Sequence, residues 1–281
     1  MVIKECLLKA SEILGASGTD TSVLDARVLL CFALGKSDVY VMVNPDEEVF
    51  EEACAYYFEL VKRRANHEPV AYITGEKEFM SLKFYVDENV LVPRPDTEHL
   101  AELAIEIINA NGICDVADFC TGSGALALSV AKNSPNAHVT GYDISLPALS
   151  VAEKNKKILS VSNADFKELD VLKELSCIDK KYELVISNPP YISRQEMTEL
   201  DKTVSEYEPH LALFGGEDGL DFYKAISHNA HSFLKKGGIL AFEVGCCQAE
   251  AVCGIMEKDF ENIEIKKDYG DIDRVVFGKL K

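Results

Sequence analysis

Positive charge is scarce in this chain. Its 281 residues hold 29 Lys plus Arg against 47 Asp plus Glu, a net charge of −18. A general phosphate-backbone binder needs a basic face, so this balance argues against one and favours a basic partner. No apolar run approaches the length of a membrane helix. The opening Met1-Val-Ile-Lys-Glu-Cys6 lacks the charged-then-apolar layout of a signal peptide. Repeats and low-complexity tracts are missing. A disulfide framework is also unexpected: the nine cysteines are odd in number and scattered through mostly apolar surroundings. They predict buried thiols in a reducing cytoplasm. Cys246, Cys247 and Cys253 do not have zinc-finger spacing, so no metal site is expected there. What remains, 47% hydrophobic and 27% charged, has room for one large soluble domain and a smaller one.

The first seventy or so residues read as three helices. Ile3, Leu7, Leu8, Ala10 and Leu14 recur at helical spacing, with Gly15 as a stop. Thr21 or Ser22 caps a second helix that runs to Leu34 and ends at Gly35, and Asp46 opens a third towards Arg64. No catalytic constellation falls here, so a recognition or packing bundle is expected. Over residues 70–92 the period shortens to two. Residues 79–86 alternate, 87–89 form a turn and Val90-Leu-Val92 returns, which predicts a β-hairpin. Pro93-Arg94-Pro95-Asp96 stops it, and Thr97 is placed to N-cap a helix over 99–109.

Beyond residue 113 strands and helices alternate. Strands are expected over 114–119, 138–142, 165–169, 184–187 and 239–244, with helices starting near Ala125, Leu146 and Gly219. Such alternation predicts a parallel, doubly wound α/β sheet. Segments 263–267 and 274–277 flank a turn and predict a terminal antiparallel hairpin. The predicted organisation is a helical domain over 1–72, a hairpin linker over 73–97 and a Rossmann-like domain over 98–281.

Asn188-Pro189-Pro190-Tyr191 follows the apolar run 182–187 directly. Two prolines fix φ and remove two backbone donors, and Pro189 biases Asn188 towards an extended conformation. The exposed polar atoms are then acceptors, the Asn188 side-chain carbonyl and the Pro189 carbonyl, beside an aromatic ring. Acceptors aimed at one point suit an –NH2 group with two hydrogens to donate. A plain proline-stiffened turn is the alternative.

The other half of the site lies in Asp118-Phe-Cys120-Thr121-Gly122-Ser123-Gly124-Ala125, between the first strand and its helix. Glycines allow a sharp turn and close approach of a ligand beside the helix N-terminus. Asp143, nineteen residues after Gly124, ends the next strand, where a carboxylate accepts from both hydroxyls of a ribose. Asp170 ends the third strand, on the adenine side of the crevice. The loop lacks a full G-x-G-x-x-G, which disfavours a dinucleotide enzyme. S-adenosylmethionine fits better, because it has a ribose but no pyrophosphate.

With these motifs the chain resembles the HemK-type glutamine methyltransferases that modify class-1 peptide chain release factors. The resemblance rests on His67-Glu-Pro-Val-Ala-Tyr-Ile-Thr-Gly75, Val90-Leu-Val-Pro-Arg-Pro-Asp-Thr-Glu98, the 118–125 loop and Asn188-Pro-Pro-Tyr-Ile192. It continues through Glu208-Pro209, Gly215-Gly216, Asp218-Gly-Leu220, Glu243-Val-Gly245, Gln248 and Asp273-Arg274-Val275. The tetrapeptide alone is shared with amino-methylating DNA enzymes; the combination is far more specific.

The resemblance implies a class I methyltransferase domain, S-adenosylmethionine as donor, and the glutamine amide of a Gly-Gly-Gln tripeptide as acceptor. It implies Cys120, Thr121, Gly122, Ser123 and Gly124 as the cofactor loop, Asp143 on the ribose, Asp170 and Val171 near the adenine, and Asn188, Pro189, Pro190 and Tyr191 on the amide. Two positions depart from the pattern: Cys120 stands where glycine is usual, and Val171 where a large aromatic often follows the acid. Arg94 and Glu98 read equally as an ion pair or as substrate contacts, and Glu243 reads as structural. Two rival enzymes remain, a ribosomal-protein glutamine methyltransferase and an adenine amino-methyltransferase, and the charge weighs against the second. A catalytically idle cofactor-binding adaptor is a further alternative, disfavoured by the intact tetrapeptide.

Overall fold

The computed structural model describes residues 1–281, which form two compact units: Met1–Glu76 with Asp201–Tyr207, and Lys77–Leu200 with Glu208–Lys281.

The first unit is helical, with α1 (Ile3–Ala16), α2 (Ser22–Leu34), α3 (Asp38–Val43), α4 (Glu51–Ala65) and α5 (Val70–Thr74). Ile3, Cys6, Ala10, Leu14, Leu29, Leu30, Tyr57 and Leu60 share one buried core. The Tyr57 hydroxyl, inside that core, donates to the Ala26 carbonyl at 2.9 Å, so its burial leaves no orphaned donor. Gly35 ends α2 as expected, with φ +61°, a left-handed cap. Gly15 does not stop α1; the helix runs through it to Ala16. Asp46 does not open the third long helix either. It pairs with Lys4 at 2.5 Å, and α4 starts five residues later, after Phe50. The short α3 and α5 escaped the periodicity reading because each covers less than two turns. The segment Asp201–Tyr207 completes this unit: α6 (Lys202–Ser205) lies in it, and the Tyr207 hydroxyl donates to the Asn66 carbonyl at 2.7 Å.

The hairpin exists, but its turn is elsewhere. Strands β1 (Glu76–Phe79) and β2 (Leu82–Tyr85) are joined at Met80 and Ser81, whose φ values are +50° and +59°. Two left-handed residues in succession make the tight turn that matches strand twist. Residues 87–89 therefore do not reverse the chain within a hairpin, and 90–92 is not a strand. Phe79 and Phe84 project from the hairpin into the core of the second unit and meet edge to face, ring centres 6.1 Å apart.

Helix α7 (Glu98–Asn111) leads into the main sheet. The sheet is built from β3 (Asp115–Phe119), β4 (His138–Asp143), β5 (Ala164–Glu168), β6 (Tyr182–Ser187), β7 (Leu234–Glu243), β8 (Phe260–Lys267) and β9 (Asp273–Leu280). The connecting helices are α8 (Ala125–Asn133), α9 (Leu146–Ile158), α10 (Asp221–His228), α11 (Ala230–Phe233) and α12 (Ala249–Met256). Strand order is β5-β4-β3-β6-β7-β9-β8, parallel except for β9, which is antiparallel to both neighbours. The expected terminal hairpin is present, with β9 inserted between β7 and β8. From β3 the chain winds one way through β4 and β5, then returns to build β6 and β7 on the other side. The switch point lies between β3 and β6, and a crevice opens there beyond the carboxyl ends of the strands.

Candidate active site

Sheet register alone brings four distant residues into one row. Phe119 pairs with Tyr142 and with Ser187, and Ser187 pairs with Phe242. One residue further along each strand come Cys120, Asp143, Asn188 and Glu243, side by side at the carboxyl edge. A single-residue slip in any strand would move its member off the row.

Two adjoining cavities occupy this edge. The larger, about 270 Å³, is lined by Cys120, Gly122, Asp143, Asp170, Val171, Asn188 and Pro190 among others. The smaller, about 60 Å³, is lined by Arg94, Thr97, Asp118, Cys120, Thr121, Gly122, Ser123 and Asn188. Asn188, Cys120 and Gly122 line both. Gly124, Pro189 and Tyr191 line neither, and each serves the loop that carries it.

The glycine-containing loop is held from three sides. Gly122 and Gly124 have φ +55° and +75°, and a Cβ on Gly124 would stand 2.9 Å from the Phe166 ring. Gly124 is therefore required by conformation and by space. Cys120 has φ +61°, a left-handed conformation that costs a residue with a Cβ about 1–2 kcal/mol. That strain is the cost of carrying Cys120 where the resemblance leads one to expect glycine. Asp118, fully buried beneath the loop, accepts the Thr121 hydroxyl at 2.6 Å, and burial pushes its carboxyl up to about 7. Asn155 of α9, wholly buried, donates to the carbonyls of Ser123 (2.9 Å) and Tyr85 (3.0 Å) and accepts the Tyr85 N–H. It ties the loop to the hairpin, and no sequence motif marks it.

Asp143 receives the Gly122 N–H on one oxygen and the Ser145 N–H on the other, both at 2.9 Å. Each oxygen keeps a second acceptor site for a ligand. Burial raises its carboxyl above the usual range, and the backbone N–H groups hold it back. Asp170 is used locally instead: Leu172 N–H (2.9 Å) and Lys173 Nζ (2.8 Å) engage its two oxygens. It shapes the wall of the larger cavity beside Val171, which is buried in the core.

The Asn188-Pro189-Pro190-Tyr191 turn sits in a cradle of glycines. A Cβ on Gly215 would lie 2.6 Å from the Pro190 carbonyl oxygen, and one on Gly219 2.3 Å from the Tyr191 carbonyl oxygen. Ile192 exchanges two bonds with the 213–215 backbone: its N–H reaches Leu213 O, and Gly215 N–H reaches Ile192 O, each at 2.9 Å. Gln248 Nε2 donates to the Tyr191 carbonyl at 2.9 Å while its Oε1 accepts the Gly245 N–H at 3.1 Å. Burial pushes the Tyr191 hydroxyl up to about 12.

Thr97 precedes α7, but its side chain does not cap that helix. Its Oγ1 accepts from Asn188 Nδ2 at 3.0 Å. Glu243, 1% exposed, ends the neighbouring strand; the polar groups of Thr97 and Asn188 and the charge of Arg274 favour its ionised form, and Asp96 disfavours it. Burial outweighs these and pushes the Glu243 carboxyl up to about 7. Arg94 and Glu98 do not pair with each other. Arg94 Nη2 contacts Glu208 at 2.6 Å, and Glu98 accepts the Met80 N–H at 2.7 Å. The Arg94–Glu208 pair joins the 89–95 and 208–212 segments, both of which supply walls to the larger cavity.

A switch-point crevice with a strained glycine turn, a strand-end carboxylate and an anchored Asn-Pro-Pro-Tyr turn defines a class I methyltransferase fold. Residues 5–75 match the PrmC N-terminal domain family, and residues 98–207 match the methyltransferase small domain family. The chain is 39% identical over 278 residues to a release factor glutamine methyltransferase of Clostridium acetobutylicum, with 98% of each chain covered. It is 36% identical over 279 residues to one from Koribacter versatilis, with 99% of each covered. Among solved structures, a ribosomal protein L11 methylase from Lactobacillus delbrueckii subsp. bulgaricus aligns at 20% identity and TM-score 0.49, over 67% of this chain and 81% of that one. The chain belongs to the release factor glutamine methyltransferase family.

Proposed function

We propose that this protein transfers a methyl group from S-adenosylmethionine to the side-chain amide nitrogen of the glutamine in the Gly-Gly-Gln tripeptide of class-1 release factors, in the cytoplasm. The observation that carries the chemistry is the Asn188–Thr97 bond. With its nitrogen engaged inward at 3.0 Å, the Asn188 amide has its carbonyl left for an acceptor. The substrate's name is supported by the full-length relatives.

The residues present fit the donor. Asp143 would accept from the two ribose hydroxyls, using the acceptor sites its backbone bonds leave over. The backbone of Cys120, Thr121, Gly122, Ser123 and Gly124 would pass close to the amino-acid end, where glycine conformations allow it. Val171, Asp170 and Leu169 would wall the base. The donor supplies an activated methyl on a sulfonium.

An amide nitrogen is a poor nucleophile, because its lone pair is delocalised into the carbonyl. The Asn188 side-chain carbonyl and the Pro189 backbone carbonyl would accept its two hydrogens. That aims the nitrogen and favours the positive charge that develops on it, a stabilisation greater in the transition state than in the ground state. Tyr191 would keep this turn in place, its carbonyl bonded by Gln248. No general base is needed before transfer, because the product can release its extra proton to solvent afterwards.

The helical unit is assigned to substrate recognition. It exposes Val23, Val39 and Phe50 at 71%, 68% and 85% of their surface, and carries no catalytic constellation of its own. Mass spectrometry of a recombinant release factor, incubated with the protein and the donor, tests the proposal. A single added methyl on the Gly-Gly-Gln glutamine is expected; methyl found only on a ribosomal protein or on adenine would replace it.

A further inference from the structure

Glu243 sits at the end of β7 with one carboxylate oxygen, Oε2, buried and without any hydrogen-bond partner. A buried, half-satisfied carboxylate is a poor choice for stability: a well-packed apolar residue of similar volume is usually as good or better. Its place in the row points to a different use: Asn188 stands beside it, and Asn188 is held by the Thr97 hydroxyl. An ionised carboxylate only accepts, so a Thr97 hydroxyl turned to Glu243 would spend its proton there. Thr97 Oγ1 can then only accept from Asn188, and the group 3.0 Å away must be the amide nitrogen rather than the oxygen.

Resting on the function proposed above, we propose that Glu243 is the positioning residue for methyl transfer. Relayed by Thr97, it fixes the Asn188 side-chain amide with nitrogen inward and carbonyl towards the acceptor. Without it, an asparagine amide is nearly symmetric in shape and flips at little cost. The flipped amide presents –NH2 to the substrate –NH2, donor to donor. The same polarity selects an amide over a carboxylate, since a site offering only acceptors repels the oxygens of glutamate. The chain thus uses an acid 55 positions from Asn188 in sequence to decide what a neutral side chain recognises.

The test uses three variants of the full chain. Glu243→Leu removes the acceptor and keeps the volume, Glu243→Gln retains an acceptor carbonyl, and Thr97→Val removes the relay. With recombinant release factor as acceptor, Glu243→Leu is expected to lose about 100-fold in kcat, the scale of one oriented polar group. Its KM and its donor Kd by calorimetry should stay within about threefold, since uniform binding is untouched. Thr97→Val should lose about tenfold and Glu243→Gln less than about fivefold, because both keep part of the network. A Glu243→Leu enzyme that turns over normally, or a Gln variant as slow as the Leu variant, overturns the inference.

NMR of the asparagine-15N-labelled enzyme gives a readout that needs no acceptor. Slow solvent exchange of the Asn188 side-chain hydrogens is expected in the wild type and in Glu243→Gln, and fast exchange in Glu243→Leu. If Glu243→Leu does not fold, Thr97→Val decides by the same exchange measurement. Wild-type enzyme that leaves release factor unmethylated would refute the substrate reading alone; unprotected Asn188 hydrogens in that same wild type would refute this one.

Discussion

Gln248 Nε2 donates to the Tyr191 carbonyl at 2.9 Å across 57 residues of sequence. This bond, with Gly215 and Gly219 pressed against the Pro190 and Tyr191 carbonyls, gives the Asn-Pro-Pro-Tyr turn its position. The prolines make the turn stiff; the segments packed on it decide where the stiff object points.

Gly219→Ala puts a Cβ 2.3 Å from the Tyr191 carbonyl at a residue with φ +74°. The left-handed conformation alone costs about 1–2 kcal/mol, and the turn must shift to relieve the clash. Turnover should fall at least about tenfold, because small misplacements of an aligned group are costly, while donor Kd barely changes. Steady-state kinetics beside calorimetry read both quantities; an unchanged kcat would show that the cradle does not set the turn.

Asn188→Ala removes the oriented carbonyl. Roughly 2–4 kcal/mol of transition-state stabilisation should be lost, read as a fall in kcat, with donor affinity reduced less. Near-normal turnover in this variant would sink the proposed mechanism.

Arg94→Ala leaves Glu208, 3% exposed and already lacking a partner for Oε2, with neither oxygen paired to a cation. Breaking a fully buried pair costs 3–5 kcal/mol; with the Arg94 side chain 37% exposed, about 2 kcal/mol is expected. Thermal unfolding should show a lower Tm, and the Arg94→Met, Glu208→Gln double variant should recover most of it.

Burial pushes the Glu243 carboxyl up to about 7, against the attraction of Arg274 and the polar groups of Thr97 and Asn188, with Asp96 adding repulsion. Once protonated, its O–H becomes a donor and no longer enforces the direction of the Asn188 amide. Wild-type kcat should therefore fall as pH drops through about 7, and Glu243→Gln should lose that acid limb. Stability runs the other way. The folded value lies above the unfolded one, so the contribution of this group is complete below about pH 4.5 and is lost as pH rises through about 7. Denaturant titrations at pH 5 and pH 8 should differ less in the Gln variant than in the wild type.

The period-two and alternating patterns of the sequence carried the parallel sheet, its terminal hairpin and the long helices, because those elements are specified by residues close in the chain. The hairpin turn lies away from the expected place because neither Met80 nor Ser81 is a residue type that favours two successive positive φ values; Phe79 and Phe84, buried from both strands, accompany it. Thr97 reads locally as a helix cap, and the structure spends it on Asn188, 91 positions away. The sequence determined by itself that a stiff acceptor turn, a glycine loop and a strand-end acid exist. Only the tertiary structure decided that Cys120, Asp143, Asn188 and Glu243 form one row, because register across four strands depends on pairings no local pattern encodes. It also decided which end of the Asn188 amide is held inward, since the Thr97 hydroxyl that accepts its nitrogen lies 91 positions away in the chain.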